Sequence, residues 1–277
     1  MAGVPRRAAD DATTGASTST TSTIGSSQTV TFADYFSGVS AGYAAYRPHY
    51  PDALFDFLAA AAPARDTAWD AGTGTGQAAV GLARVFAHVT ATDPSKSQIE
   101  QATPRPNVTY RLASAEQSGL DSGSMDLVAA AQAVHWFDHE RFWREGRRVL
   151  RPQGIIAIWT YVLFEISPQI DVIVQRFYRG IVGPYWPPER RHVDTRYQSI
   201  TFPFHEFTAP SFVIEQAMSL ADVAGYVRTW SATRGFMKQH HQDPVDGLVN
   251  ELERAWGAPQ QARLARWPVT MRVGRIE

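Results

Sequence analysis

The 277-residue sequence contains no cysteine. That removes disulfide scaffolds, cysteine-ligated zinc, iron–sulfur clusters and thiol catalysis from consideration. Long apolar runs are missing too. The longest, Phe57 to Ala64, falls far short of the roughly 18 residues a membrane span needs. Arg6 and Arg7 have no apolar segment behind them, so no signal peptide is expected. Neither sign of charge dominates: 26 Lys and Arg stand against 27 Asp and Glu, for a net charge of −1. Such a chain lacks the basic footprint of a nucleic-acid binder. No spacing among the eight histidines suggests a metal site. What remains is ordinary globular composition, 44% hydrophobic and 19% charged, enough for a substantial core. The expectation is a soluble, cytoplasmic, single-domain protein, monomeric or homodimeric.

The first 31 residues differ from the rest. Between Asp11 and Thr31, 13 of 21 residues are Ser or Thr. Such a stretch cannot bury enough surface to offset its ordering entropy, so residues 1–31 are expected to be a disordered tail. The domain is expected to span 32–277. It opens with five aromatics in 15 residues (Phe32, Tyr35, Phe36, Tyr43, Tyr46) ahead of Arg47-Pro48-His49-Tyr50-Pro51. Asp52 can then N-cap a helix to about Ala62.

From Thr67 the chain alternates short apolar strands with amphipathic helices. The strands are expected at 67–70, 88–92, 108–112, 125–131 and 155–159. The helices are expected at 77–86, 94–102 and 138–150. This order calls for a mostly parallel sheet covered by helices. Ligands bind outside the carboxyl ends of such strands, so the loops after Asp70, Asp93, Ala131 and Trp159 share one rim. The alternation then lapses. Ser167 to Val182 reads as helix and Gly183 to Pro188 as a rigid aromatic loop. Phe212–Met218 and Val269–Ile276 read as the last strands, with helices near 220–230 and 245–256 between them. Segments 161–210 and 220–260 are expected to form a lid with substrate-facing elements.

The strongest local signal is Asp70-Ala-Gly72-Thr-Gly74-Thr-Gly76-Gln77, between a strand and a helix. Alternate glycines permit a tight turn and close approach of a ligand to the backbone, and the helix start adds free N–H groups. A second acid, Asp93, closes the next strand 23 positions after Asp70. A carboxylate there can accept both hydroxyls of a ribose. The stretch Gly74 to Ala79 also satisfies the G-x-G-x-x-[G/A] dinucleotide pattern, which leaves NAD or FAD as a competitor. Asp70 beside the loop favours a cationic ligand such as a sulfonium over a pyrophosphate.

These residues, with Thr92–Ser95, Ala113–Glu116, Asp126–Val128 running into Gln132–Phe137, and Arg148–Gly154, resemble class I S-adenosylmethionine-dependent methyltransferases. The resemblance covers about Phe32 to the C-terminus. Within that superfamily the chain is similar to a group with a UbiE-like or trans-aconitate-methyltransferase-like core, and Tyr46–Pro51 and Gly183–His192 look like one subfamily of it. The resemblance implies a Rossmann-like α/β fold: a seven-stranded sheet of order 3-2-1-4-5-7-6, last strand antiparallel, with a helical lid insertion. It implies that Gly72, Gly74 and Gly76 line the cofactor, with Gln77 and Gln132 in the same set. Asp70 would lie near the amino group, Asp93 on the ribose with Ser95 beside it, and Ala115 and Glu116 at the adenine. Ser114 stands where an Asp is common. The product would be S-adenosylhomocysteine.

Methyl transfer from a sulfonium to a small-molecule oxygen, hydroxyl or carboxylate, is the expected reaction. Aminocarboxypropyl transfer, cyclisation of the cofactor, or binding without turnover are the alternatives. A hydroxyl acceptor benefits from a base, and His135, following a core strand at the rim, is the candidate. Its other reading is a packed ring beside Trp136. Arg47 suits a carboxylate of cofactor or substrate, and Tyr46 could close over the methionine end. Trp136, Trp159, Tyr161, Tyr185, Trp186, Tyr226 and Trp230 are the candidate walls of an apolar acceptor pocket. Arg190, Arg191 and His192 could read an anionic substrate.

Overall fold

The computed structural model describes residues 48–276. The expected tail and the candidates Tyr46 and Arg47 lie outside the described residues. Helix α1 (Asp52–Ala61) buries Leu54, Phe55, Leu58 and Ala59. Its N-cap is Pro51, with no side-chain cap, and Asp52 is the first helical residue, not the cap. There a carboxylate still favours the positive end of the helix.

Strand β1 (Thr67–Ala71), helix α2 (Gln77–Leu82), β2 (His88–Asp93), α3 (Lys96–Glu100), β3 (Val108–Leu112) and β4 (Met125–Ala131) follow. Six of the seven β4 residues are buried, as a strand covered on both faces requires. The polar exception, Asp126, ties the strand starts together. Its Oδ2 accepts from the N–H groups of Asp66 and Thr67 at 3.1 and 2.9 Å, and its Oδ1 from Arg151 at 2.8 Å. Helix α4 (His139–Val149) is capped by Asp138, which accepts from the Arg141 N–H, and ends on Arg147 and Arg148. That matches the polarity of the helix dipole. Strand β5 (Leu150–Tyr161) is longer at both ends than its apolar run.

Helix α5 (Pro168–Arg176) runs into a wider turn, Phe177–Ile181, so the expected 167–182 helix changes pitch midway. Short helix α6 (Arg190–Asp194), strand β6 (His205–Phe207) and strand β7 (Phe212–Met218) come next. Three helices follow, α7 (Leu220–Arg228), α8 (Ser231–His240) and α9 (Val245–Trp256), where two were expected. Strand β8 (Arg263–Arg275) begins six residues before Val269. Along its early part exposed and buried residues alternate, and that part pairs with β7.

The sheet has eight strands, in the order β3-β2-β1-β4-β5-β8-β6, with β7 also on β8. β1 to β5 are parallel neighbours, and β8 runs antiparallel to β5. This is the expected arrangement with one addition. β7 pairs with residues 263–269 of β8 and β6 with 273–275, so the two lie end to end on its outer edge. Two apolar clusters cover the faces of the sheet, and a third fills the interior of α5, α7 and α9. No helix among the described residues is long and apolar enough to cross a membrane.

Candidate functional site

The three loop glycines divide between two jobs. The N–H groups of Gly72 and Thr73 donate to the Thr92 carbonyl at 2.8 and 2.9 Å, folding the loop back over β2. All three glycines have positive φ, at +69, +55 and +89°. A Cβ on Gly72 would come within 2.7 Å of Ala133, and one on Gly76 would run into the Tyr110 ring. Those two glycines serve packing. A Cβ on Gly74 would meet only Gln98 Oε1, at 3.6 Å. Gly74 is the residue whose missing side chain leaves room for a ligand.

That room is a cleft at the carboxyl ends of β1, β2 and β4. Its walls include Tyr50, Gly72, Gly74, Asp93, Gln98 and Gln132. Gln77, Trp136 and Phe137 also border it. Asp93 is held rigidly: its Oδ2 accepts from the Gly74 N–H at 2.9 Å and its Oδ1 from the Ser95 N–H at 2.8 Å. Burial pushes its carboxyl above the usual range, and those two N–H groups pull it partly back. Asp70 lies beneath the loop, fully buried, with Oδ2 accepting from the Thr73 hydroxyl at 2.6 Å. Its Oδ1 has no hydrogen bond of ordinary geometry. Burial raises this carboxyl to about 7, the Thr73 hydroxyl and the Ala79 N–H offsetting only part of the cost. A buried acid of that kind is relieved by a nearby cation.

Gln132 lines the cleft with a left-handed backbone, φ +53°, a conformation that costs any residue with a Cβ. Its side chain is clamped to the end of β5. Nε2 donates to the Tyr161 carbonyl at 2.8 Å, and Oε1 accepts from the Thr160 hydroxyl at 2.6 Å.

Of the sequence candidates, Gly72, Gly74, Gln77, Asp93, Gln132 and Trp136 border the cleft, with Asp70 and Gly76 behind its walls. The Ser95 side chain pairs with Ser97 at 2.9 Å. Ala115 is buried with Trp69 and Val134, and Glu116 accepts from the Asp138 N–H, steadying the start of α4. Trp159 is fully buried, its ring and that of Tyr161 packed against Tyr50. Tyr185, Trp186, Tyr226 and Trp230 belong to the helical layer, where Trp230 touches Tyr178, Trp186 and Tyr226. Sequence reasoning missed Tyr50, Gln98 and Phe137. Tyr50 had a signal in the aromatic, proline-broken segment it ends. Gln98 had none, because a lone Gln on a short helix reads as surface, yet it is 6% exposed.

His135 does not border this cleft. It sits one residue before Trp136, with the two rings 4.9 Å apart, and its Nδ1 is 3.0 Å from the Tyr197 hydroxyl. Burial, with Arg190, His192 and His139 nearby, holds its imidazole well below the usual range, so it is neutral at pH 7. Its Nε2 has no hydrogen-bond partner among the described residues. Arg190 donates from Nε to the Tyr178 hydroxyl at 2.9 Å and lies 4.4 Å over the Trp186 ring. Among the described residues no group of three or more His, Asp or Glu could hold a metal ion.

A family model described as a methyltransferase domain matches residues 69–158, the segment from β1 through most of β5. A methyltransferase of Dictyostelium discoideum is 38% identical over 229 residues, covering 81% of this chain and 87% of the relative. A solved structure described as a type II methyltransferase from Anaeromyxobacter dehalogenans is 45% identical, with a TM-score of 0.79. That match covers 83% of this chain and 97% of the other. An S-adenosylmethionine-dependent methyltransferase of Saccharomyces cerevisiae is 23% identical over 252 residues, covering 77% of this chain and 87% of the yeast protein.

Proposed function

Because this chain belongs to the class I S-adenosylmethionine-dependent methyltransferases, we propose that it methylates an oxygen of a small-molecule acceptor, a hydroxyl whose proton passes to His135. The enzyme class and the cofactor come with the family. The acceptor and the base are our reading. The observation that carries it is a neutral, buried imidazole beside the cleft wall with one ring nitrogen unshared.

The cleft fits the cofactor by its own chemistry. Gly74 leaves the space, Asp93 presents a fixed carboxylate for the two ribose hydroxyls, and Asp70 offers buried negative charge. Bound S-adenosylmethionine supplies an electrophilic methyl group and departs as S-adenosylhomocysteine. The protein supplies position: Gln132, locked to β5, and Trp136 hold the rim so that acceptor and donor meet in line. His135, poised neutral, takes the acceptor proton near neutral pH.

Incubating the enzyme with methyl-labelled cofactor and a panel of small hydroxyl and carboxylic acid acceptors tests the reading. Labelled product with S-adenosylhomocysteine is expected. Methylthioadenosine instead would establish aminocarboxypropyl transfer or cyclisation.

The Asp70 carboxyl gives a second test. In the folded protein it titrates near 7, against 3.8 for a free side chain. Its contribution to stability is therefore full below pH 4 and is lost as pH rises through 7. A bound cation reverses the preference and releases the proton. Cofactor affinity should rise from pH 5.5 to 7 and then level. Calorimetry at pH 6 in buffers of different ionisation enthalpy should detect proton release; none would remove Asp70 from the account.

Arg190 favours a second reading, a carboxylate acceptor. Its Nη1 and Nη2 make no hydrogen bond among the described residues, and it lies within electrostatic reach of His135, Tyr197 and Tyr226. A guanidinium fork matches a carboxylate, and a carboxylate nucleophile needs no base. Under this reading Arg190→Met raises KM tenfold or more and His135→Gln leaves kcat unchanged. Under the first reading the effects are reversed.

A further inference from the structure

Buried polar side chains nearly always have a hydrogen-bond partner, and an exception asks for a reason. Three such side chains border the cleft: Thr73, Asp93 and Gln98. Thr73 gives its hydroxyl proton to Asp70, and Asp93 accepts from two N–H groups. The Gln98 amide has no hydrogen-bond partner among the described residues, although the residue is 6% exposed. Its backbone is satisfied within the turn, the N–H bonded to the Ser95 carbonyl at 3.2 Å and the carbonyl to the Gln101 N–H at 3.1 Å. The side chain therefore holds nothing in place. For packing alone, an apolar side chain of the same length would avoid the cost of an unpaired amide.

The position of that amide suggests what it is for. Gln98 Oε1 lies 3.6 Å from where a Cβ on Gly74 would stand, which is the space that Gly74 leaves open. The Gly74 N–H holds Asp93 at 2.9 Å, so Asp93 borders the same stretch of wall. A group seated over Gly74 and against Asp93 is within reach of Gln98. The Ser95 hydroxyl, the neighbour expected beside the ribose, is turned to Ser97 instead. A carboxylate can only accept. It takes the protons of ribose hydroxyls but gives nothing to their oxygens, and the N–H groups of Gly74 and Ser95 are spent on Asp93 itself. A ribose buried there lacks a donor, and the Gln98 amide has two N–H groups uncommitted.

We propose that Gln98 is a second ribose-reading residue: its Nε2 donates to the oxygen of one ribose hydroxyl whose proton goes to Asp93. The proposal rests on the ribose assignment of Asp93 and deepens it. Acceptor and donor together recognise a hydroxyl in both of its capacities, which neither side chain does alone.

Calorimetric titration of the full chain with S-adenosylhomocysteine and its 2′-deoxy and 3′-deoxy analogues tests this without turnover. Gln98→Met keeps the length and removes both polar ends. Its affinity for S-adenosylhomocysteine should fall about tenfold. With one of the two deoxy analogues the loss should shrink to about twofold or less, because the hydroxyl that Gln98 reads is then missing from the ligand. The Tm of the free variant should not fall, since no contact within the protein is lost. If Gln98→Met does not fold, Gln98→Glu, nearly isosteric and without a donor, enters the same cycle. Affinity within twofold of wild type, or an equal loss for all three ligands, overturns the proposal. Asp93→Ala, titrated in parallel, separates it from its premise. Discrimination between the ligands that is lost in Asp93→Ala but kept in Gln98→Met overturns this proposal alone. Discrimination kept in both variants overturns the ribose assignment with it.

Discussion

Replacing Asp93 with alanine raises the dissociation constant for S-adenosylmethionine about 100-fold, or about 2.7 kcal/mol, the scale of one or two hydrogen bonds to a charged group. The carboxylate has two tasks. Toward the protein it accepts from the Gly74 and Ser95 N–H groups, pinning the glycine loop against the start of α3. Toward the cleft, in the role proposed above, its remaining lone pairs would accept from a ribose. Alanine ends both. Asparagine separates them, because one of its two ends is an amide N–H₂ that must oppose a backbone donor. Asp93→Asn should therefore lose nearly as much affinity as alanine. Calorimetric titration decides the matter, and a dissociation constant within threefold of wild type in the alanine variant would dismiss the ribose assignment.

Gly74→Val eliminates measurable cofactor binding while the protein stays folded. The new side chain projects into the cleft, where Gln98 Oε1 is the one neighbour. Its backbone at φ +55° costs about 1–2 kcal/mol for a residue with a Cβ, which lowers Tm by a few degrees in a chain of this size. Gly76→Ala does the opposite. One methyl group displaces Tyr110 from the Thr103 carbonyl it donates to at 2.7 Å. Thermal stability then falls by more than in Gly74→Val, although the substitution is smaller. Parallel melting curves and titrations of the two variants test the division of labour. Equal losses of stability in both would mean that the glycines are interchangeable.

The sheet was readable because its signals are local. The β4 run, the Asp138 cap and the glycine loop each announce themselves within a dozen residues. Helix α8 did not: in Ser231–His240 only Ala232 and Thr233 are buried, so no apolar stripe repeats. The first half of β8 was hidden because the apolar Leu264 and Pro268 face solvent beside the buried Ala265 and Trp267, so residue type does not follow the two-residue period of burial there. At the site, Asp93 and the loop glycines could be named from spacing. Gln98 could not, since its burial comes from the approach of Gly74 in space. Tyr197 could not either, since its partner is set by the path of residues 190–200 across α4. Of the aromatics at 185, 186, 226 and 230, offered as walls of an acceptor pocket, Trp186 and Tyr226 each meet the Trp230 ring in the helical layer.

That helical layer has an apolar interior of its own, running from Tyr161 through α5 to α7, α9 and Trp267, and none of its buried members comes from α2, α3 or the first four strands. Away from Tyr161, on which Tyr50 of the cleft wall packs, substitutions inside it can therefore accumulate without repacking the donor cleft. Over evolutionary time, or in a directed library, the choice of acceptor can drift on this scaffold while the grip on the methyl donor stays as it is.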